Sequence, residues 1–458
     1  MTAQKGKIDP KNLNKLVEDG EIESIIVCGV DMQGRLFGKR FTATCFIESF
    51  KGGINTCACN FGWDMDLILI PGLKFTGWHT GYQDMLAAPD MNTLRMVPWL
   101  VKTAIVLCDS CDEGGEPLSI APRTILRRVS DKAKKMGYTP YMASELEWFM
   151  FKETVESARE KGYINLEPIS KYYSDYSIFR STLDEWILGP IRIGLNELGM
   201  EVESTKAEWG FGQVELAIRY TEALEMGDRH ALVKHAVKEI SALKGAMASF
   251  MAKYKTDDSG SGLHIHTSLW DKDAKKSLFP DKKKEHGMSD TMRYFLGGQM
   301  QLANDMQYFY APLINSYKRY CPKSFAPYNV GWGGDNRTVT FRICGSGNSL
   351  RIENRIPGAD ANGHLALAAS LAAGLYGIEH KLEPVGPFIE GDSYEEKSLP
   401  VLPNNLSDAV KNLEKSEAAR EMFGDDVIDH YVKIGRWEVD TFNSSVTDWE
   451  RRKYFEMT

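Results

Sequence analysis

The chain has 458 residues, 43 % of them hydrophobic and 26 % charged, with a formal net charge of −8. That length accommodates two or three domains, or one large domain with an appendage, and a sizeable buried core. The acidic balance, with no basic block and no heptad array, argues against a general binder of nucleic acid or of lipid surfaces.

The polar start, MTAQKGKIDPKNLNKL, lacks the apolar core of a signal peptide. Asp9 and Pro10 open a short amphipathic helix that ends near Gly20, with Asp as the cap and Pro in the first turn. Strand-like runs follow in IIVCGVDMQGRLFGKRFTA, folded around a Gln33-Gly34 turn, and then in LRMVPW and TAIVLCDS. The stretch from Asn60 to Asp90 is rich in Gly, Trp, Tyr and Asp and has no period, as expected of a functional loop or an interface. The eight cysteines are scattered, unlike a disulfide framework, and fit a reducing cytoplasm. Cys108-Asp-Ser-Cys111 is a lone CxxC with no second pair nearby, so it is not read as a metal or redox site.

DEGGEP at 112–117 marks a boundary, giving an N-terminal unit of residues 1–115 and a second unit of residues 116–458. Pro122 to Met136 reads as an amphipathic helix stopped by Gly137, and YMASELEWFMF alternates as a strand. Helices are expected at 184–198, 228–254 and 289–310, and strands at 202–207, 213–220, 263–270, 338–343 and 351–356. Leu365 to Ile378 is apolar but shorter than the roughly 18–20 residues that cross a bilayer, so it reads as a buried helix. The pattern is α+β: a small β-rich N-terminal domain and a large α+β domain.

The chemistry-bearing residues recur in apolar or Gly-rich surroundings, where an unpaired charge is costly. Glu145 and Glu147 leave the same face of one strand, and a cation relieves their repulsion; a solvated strand face is the alternative. Glu208 and Glu215 flank a Gly-containing turn that lets both carboxylates face one point; an ordinary glycine turn flanked by glutamates is the alternative. In Gly260-Ser-Gly-Leu-His-Ile-His-Thr-Ser268, a Gly-rich turn feeds a strand on which His264, His266 and Ser268 alternate onto one side. His264 suits a borderline metal, and His266 and Ser268 suit phosphate or ribose oxygens; a polar strand face with two satisfied histidines is the alternative. Arg319, Arg337, Arg342, Arg351 and Arg355 surround Glu353, and guanidinium forks match carboxylate and phosphate geometry. Carboxylates, one imidazole and several arginines together fit phosphoryl transfer from ATP.

In order along the chain, ELEWF, EWGFGQVE, GSGLHIHTSL, NSYKR, NR-x4-R and RIENR resemble the glutamine synthetase family, type I branch, over nearly the whole length. The resemblance implies a β-grasp domain packed on a catalytic domain, with active sites between neighbouring subunits of a six-membered ring that often stacks as twelve. It implies that two or more Mg²⁺ or Mn²⁺ ions bind at each site. Glu147, Glu208 and Glu215 would hold the ion at the acyl-acceptor end, and Glu145, His264 and Glu353 the ion on the ATP phosphates. Arg319, Arg337 and Arg355 would bind L-glutamate or its transferred phosphate, and Gly260 would give glutamate a backbone contact. Arg342 would bind nucleotide phosphates, with Glu203, Tyr220, His266, Ser268 and Arg351 at other nucleotide-contact positions.

Two departures shape the functional expectation. Six residues after Arg319, where glutamine synthetases carry a flap glutamate, this chain has Phe325. The ammonium-binding Asp-Gly-Ser-Ser loop of the family is also absent between residues 50 and 90. A phenyl ring in place of a carboxylate removes a cation site and adds apolar area. The chain is thus similar to the γ-glutamylamine ligases of the family, which use isopropylamine, aniline or polyamines in amine catabolism. The expected acceptor is a small alkyl or aryl monoamine; a polyamine ligase and a true ammonium-using glutamine synthetase are the alternatives. Phe61, Trp63, Phe325 and Trp332 are candidate pocket walls, with ordinary core or subunit-interface packing the alternative for each, and Asp64 and Asp66 are candidate acidic groups beside the amine.

Overall fold

The computed structural model describes residues 5–49 and 52–458. Asp9 caps the first turn by accepting the Lys11 amide at 3.0 Å, and the helix Leu13–Glu18 follows. Strands β1 (Ser24–Val30) and β2 (Leu36–Thr42) form the expected hairpin. Gly34 in its turn has φ +83°, and a Cβ there would sit 3.1 Å from the Asn362 Cα. The Asn362 amide nitrogen donates to the carbonyls of Asp31 and Met32, each at 3.1 Å, so the turn is fastened to a helix cap 330 residues away.

Strands β3 (Ile54–Cys57), β4 (Asp84–Pro89), β5 (Arg95–Met96) and β6 (Thr103–Cys111) complete a six-stranded sheet. β1 and β6 lie side by side and parallel, and the helix Ala43–Ser49 packs against the hairpin, a β-grasp arrangement. That helix and β3 are additions to the sequence reading. All eight cysteines are free thiols; Cys108 and Cys111 are both buried, and desolvation pushes both thiols up.

The second sheet has nine strands: β7 (Tyr138–Phe151), β8 (Val202–Ala207), β9 (Gln213–Ile218), β10 (Thr221–Glu222), β11 (Met247–Ser249), β12 (Leu263–Asp271), β13 (Trp332–Gly334), β14 (Phe341–Cys344) and β15 (Arg351–Asn354). Its main path runs β13-β14-β15-β12-β7-β9-β8. The helix expected over 228–254 runs from Ala223 to Leu243 instead; Gly245, with φ +73°, ends it, and Met247–Ser249 pair with β7. The helix expected over 289–310 is two, Asp290–Gln301 and Ala303–Tyr310, broken at Leu302. Gly363–His380 is the buried apolar helix anticipated from Leu365 to Ile378. A Cβ on its Gly377 would meet the Tyr294 carbonyl oxygen at 2.2 Å, so only glycine permits this helix crossing. Four further helices, Leu406–Lys415, Glu417–Phe423, Asp425–Ser444 and Asp448–Tyr454, follow. Among the described residues no helix is long and apolar enough to cross a membrane.

A buried charge cluster ties the first sheet to the helices Pro122–Lys135, Ala223–Leu243 and Gly363–His380. Arg123, 3 % exposed on the helix Pro122–Lys135, donates to Asp228 at 2.8 and 2.9 Å, to Asp109 at 2.5 Å and to Asp90 at 2.7 Å. His364 meets the Asp228 carboxylate at 3.0 Å. Burial alone would raise the Asp228 carboxyl, but the charges and hydrogen bonds of Arg123 and His364 hold it well below the usual range.

Candidate active site

The alternation of β7 sets the site. Its even-numbered residues Leu146 and Trp148 enter the core, while Glu145 and Glu147 stand on the open face. Cross-strand pairing extends that face in both directions. Glu147 pairs with Glu215 of β9, which pairs with Lys206 of β8. Glu145 pairs with His264 of β12, and His266 pairs with Glu353 of β15, which pairs with Arg342 of β14. Residues registered opposite one another share a face, so one surface of the sheet collects charged groups from six strands.

Two groups of donor atoms converge within 4.8 Å: Glu145, His264 and Glu353, and Glu147, Glu215 and His264. Carboxylate oxygens with one imidazole are the donor set that a hard or borderline divalent ion takes. Glu145 receives His264 Nδ1 and His266 Nε2, each at 3.2 Å. Arg351 donates to His266 Nδ1 at 3.2 Å, which fixes the proton of that ring on Nε2, toward Glu145. Desolvation would raise the Glu145 carboxyl, but its bonds to the two histidines hold it well below the usual range. Burial also opposes ionisation of Glu353, yet Arg355 and the histidines bring its carboxyl down to about 2. Glu215 goes the other way, pushed up to about 11 by burial and by the charges of Glu145 and Glu208. A crowded acidic cluster that retains a proton in the absence of metal is what a cation site looks like.

Glu208 lies outside both groups. It is ion-paired with Lys206, and burial followed by the Glu147 charge raises its carboxyl. Gln213, which the sequence reading passed over, donates to Glu147 at 3.2 Å and to the Gly260 carbonyl at 3.0 Å. Its spacing of two from Glu215 was the available signal. The Gly262 amide also reaches Glu147, at 2.7 Å.

A cavity of about 460 Å³ adjoins Glu145 and is lined by Glu203, Tyr220, His266, Ser268 and Arg351, five of the six nucleotide-contact candidates. Tyr141 and Trp270 join its wall, with ring centroids 5.7 Å apart. Arg342 instead holds Glu353 at 3.0 Å and also pairs with Asp335. Arg319 is buried and donates to the carbonyls of Ile356 at 2.9 Å and Arg355 at 3.1 Å, while its side chain packs on Gly260. Arg355 donates to Glu353 at 2.7 Å and to the Phe325 carbonyl at 3.3 Å. Arg337 is exposed.

The candidate acceptor-pocket residues take separate places in the chain's own packing. Phe61 lies in the core, edge-on to Phe37 and Phe75, because its neighbours from β2 and the loop are apolar. Asp64 spends both carboxylate oxygens on structure: one accepts the amides of Asp66 and Ile68 at 2.9 Å, the other the Trp437 indole at 2.9 Å. Trp63 is half-buried and bridges to Leu69, and Asp66 is exposed. Trp332 pairs in register with Phe341, one residue off Arg342, so it points away from Glu353 and packs on Phe388 and His286. Phe325 is 61 % exposed.

Residues 119–454 match the model of the glutamine synthetase catalytic domain. This chain belongs to the glutamine synthetase family. Among its relatives it is similar to gamma-glutamylethanolamide synthetase GlnA4 of Streptomyces coelicolor, 42 % identical over 97 % of this chain and 95 % of that protein. It is also similar to a glutamate–isopropylamine ligase of Pseudomonas sp., 39 % identical over 96 % of each chain. Among solved structures, a GmaS/ADP complex superposes with a TM-score of 0.84 at 29 % identity, covering 97 % of this chain and 99 % of that one. The α+β architecture is that of the family.

Proposed function

We propose that this family member is an ATP-dependent ligase that joins the γ-carboxylate of L-glutamate to an organic amine through γ-glutamyl phosphate, with a small alkyl or aryl monoamine as the acceptor. The observation that carries the reading is the single charged sheet face, in which converging carboxylates and an imidazole adjoin a nucleotide-sized cavity and buried arginines. Relatives that cover the chain end to end and are named for γ-glutamylamine synthesis support the amine as acceptor. Phe325 at the flap position supports it over ammonium.

In this reading the cavity under Tyr220, His266 and Arg351 takes ATP, and its phosphates point toward Glu145 and Glu353. Two or more Mg²⁺ or Mn²⁺ ions, held by Glu145, His264 and Glu353 and by Glu147, Glu215 and Glu208, would offset the charge on the transferred phosphoryl group. Arg319, Arg337 and Arg355 orient glutamate or the phosphate, with Arg319 pre-set by its two backbone acceptors. Gly260 lies against Arg319, close enough for its backbone to meet the same substrate. The γ-phosphoryl group passes to the γ-carboxylate; the amine nitrogen then attacks the acyl carbon, loses a proton and expels phosphate. No enzyme nucleophile is required.

Residues 1–115 and 116–458 act as two units in this scheme, within a cytoplasmic hexameric ring or a stacked pair of rings. The test is phosphate release with ATP, L-glutamate and an amine panel. Turnover with monoamines exceeding that with ammonium and putrescine supports the reading. A preference for putrescine points to a polyamine ligase, saturation by sub-millimolar ammonium to a glutamine synthetase, and no release with any amine refutes the ligase.

A further inference from the structure

Beside the acceptor end of the sheet, the chain holds an ammonium of its own. Lys206 leaves β8 opposite Glu215 and pairs with Glu208, and its Nζ lies 3.2 Å from Asp175. The same Nζ stands 4.4 Å from the centroid of the Tyr176 ring. Two carboxylates and an aromatic face are the surroundings that recognise an alkylammonium group, and here they are already filled. Next to this lysine rises an apolar wall: Tyr173 and Trp209, 66 % and 58 % exposed, stand 5.4 Å apart by ring centroid. Trp209 directly follows Glu208, so wall and fixed charge belong to one rim.

We infer that Lys206 is a specificity-determining residue that selects acceptors with a neutral, apolar body and rejects those with a second ammonium. The inference rests on the ligase reading above and deepens it. An amine entering beside Glu208 lays its hydrocarbon on Tyr173 and Trp209, where every methylene gains contact. A diamine finds its distal cation facing Lys206, whose own charge already occupies Asp175 and the Tyr176 face and stands beside the ion expected on Glu208. Like charges brought together in a partly desolvated rim are strongly unfavourable. The charge on Lys206, rather than the size of the opening, then separates monoamine from polyamine.

The matched pair n-butylamine and 1,4-diaminobutane isolates the effect, since the two differ by one terminal ammonium. Phosphate release with ATP and glutamate is measured for the natural protein, Lys206→Met and Lys206→Arg, and kcat/KM is compared between the two amines. The natural protein should favour butylamine; Lys206→Met should shrink that ratio by about tenfold or more, and Lys206→Arg should keep it. An unchanged ratio in Lys206→Met, with the natural protein active on butylamine, overturns the role of Lys206 and leaves the ligase reading standing. Inactivity of the natural protein with both amines overturns the ligase reading and this inference with it. If Lys206→Met folds without turning over, the relative affinity of the two amines is measured on protein loaded with glutamate and a non-hydrolysable ATP analogue. A preference for butylamine that the substitution leaves undiminished then overturns the role of Lys206, and a preference that shrinks upholds it.

Discussion

Replacing Arg123 with Met should expose how much of the stability rests on one buried cation. Asp109 keeps Arg127, which approaches it at 2.7 Å, but Asp228 keeps only the His364 ring and is itself 2 % exposed. The buried Asp228 carboxyl of the variant is then driven to take a proton. Holding a carboxyl protonated at pH 7 when its unfolded pKa is about 3.9 costs about 4 kcal/mol, near the ~3–5 kcal/mol measured for breaking buried pairs. The sign follows from proton counting. In the variant the folded state binds the extra proton, so the penalty shrinks by about 1.4 kcal/mol per pH unit on acidification, to about 1.5 kcal/mol at pH 5. The natural protein behaves oppositely: its Asp228 carboxyl is depressed, so that contribution is present above the unfolded pKa and lost as pH falls through the folded one. Urea unfolding followed by tryptophan fluorescence at pH 7 and pH 5 measures both. The pair Arg123→Met with Asp228→Leu should recover most of the loss, because no stranded charge remains. Strict additivity of the two substitutions, or a penalty that grows toward acid pH, would refute the reasoning.

Glu353→Gln should lower turnover by at least about 100-fold and weaken manganese binding, read by calorimetry, since it neutralises a carboxylate shared by a candidate ion and two arginines. Burial holds the His430 imidazole down to about 3, far below the unfolded value of about 6.5. The unfolded chain therefore gains the proton first, and His430→Gln should remove a loss of about 2 kcal/mol that the natural protein suffers between pH 7.5 and 5, seen as a flatter pH–stability curve. Phe325→Glu should raise phosphate release with ammonium several-fold relative to isopropylamine; an unaltered ratio of the two kcat/KM values would show that the flap position does not choose the acceptor.

Long periodic segments were legible because their pattern is local. The alternation of β7, the Pro-to-Gly frame of the helix Pro122–Lys135 and the apolar run of Gly363–His380 all carry their own boundaries. The overrun past Leu243 had a tertiary cause: Met247–Ser249 has no strand signal apart from the β7 edge it pairs with. Side-chain alternation put Glu145 beside Glu147 and His264 beside His266 on their own strands, while the register that gathers them with Glu353 on one face is a property of the fold. The acceptor side escaped that logic. Asp64 is occupied by a tryptophan 373 residues away, and Phe61 meets ring partners from another strand and from farther along its own loop. Lys206 shares the face of Glu215 by the register of β8 and β9, a pairing that no local pattern around Lys206 announces.

The registered row from Lys206 to Arg342 has a consequence for how such proteins diverge. Its charged groups hang from hydrogen-bonded strands, where a slip of one residue would turn each of them inward. The scaffold therefore acts as a ruler that tolerates little revision. Novelty is left to the margins, in the Tyr172–Tyr176 segment and the corner around Trp209, where residues can be exchanged without moving a single ladder bond. A lineage built this way can sample new nucleophiles while its energy-coupling chemistry stays fixed.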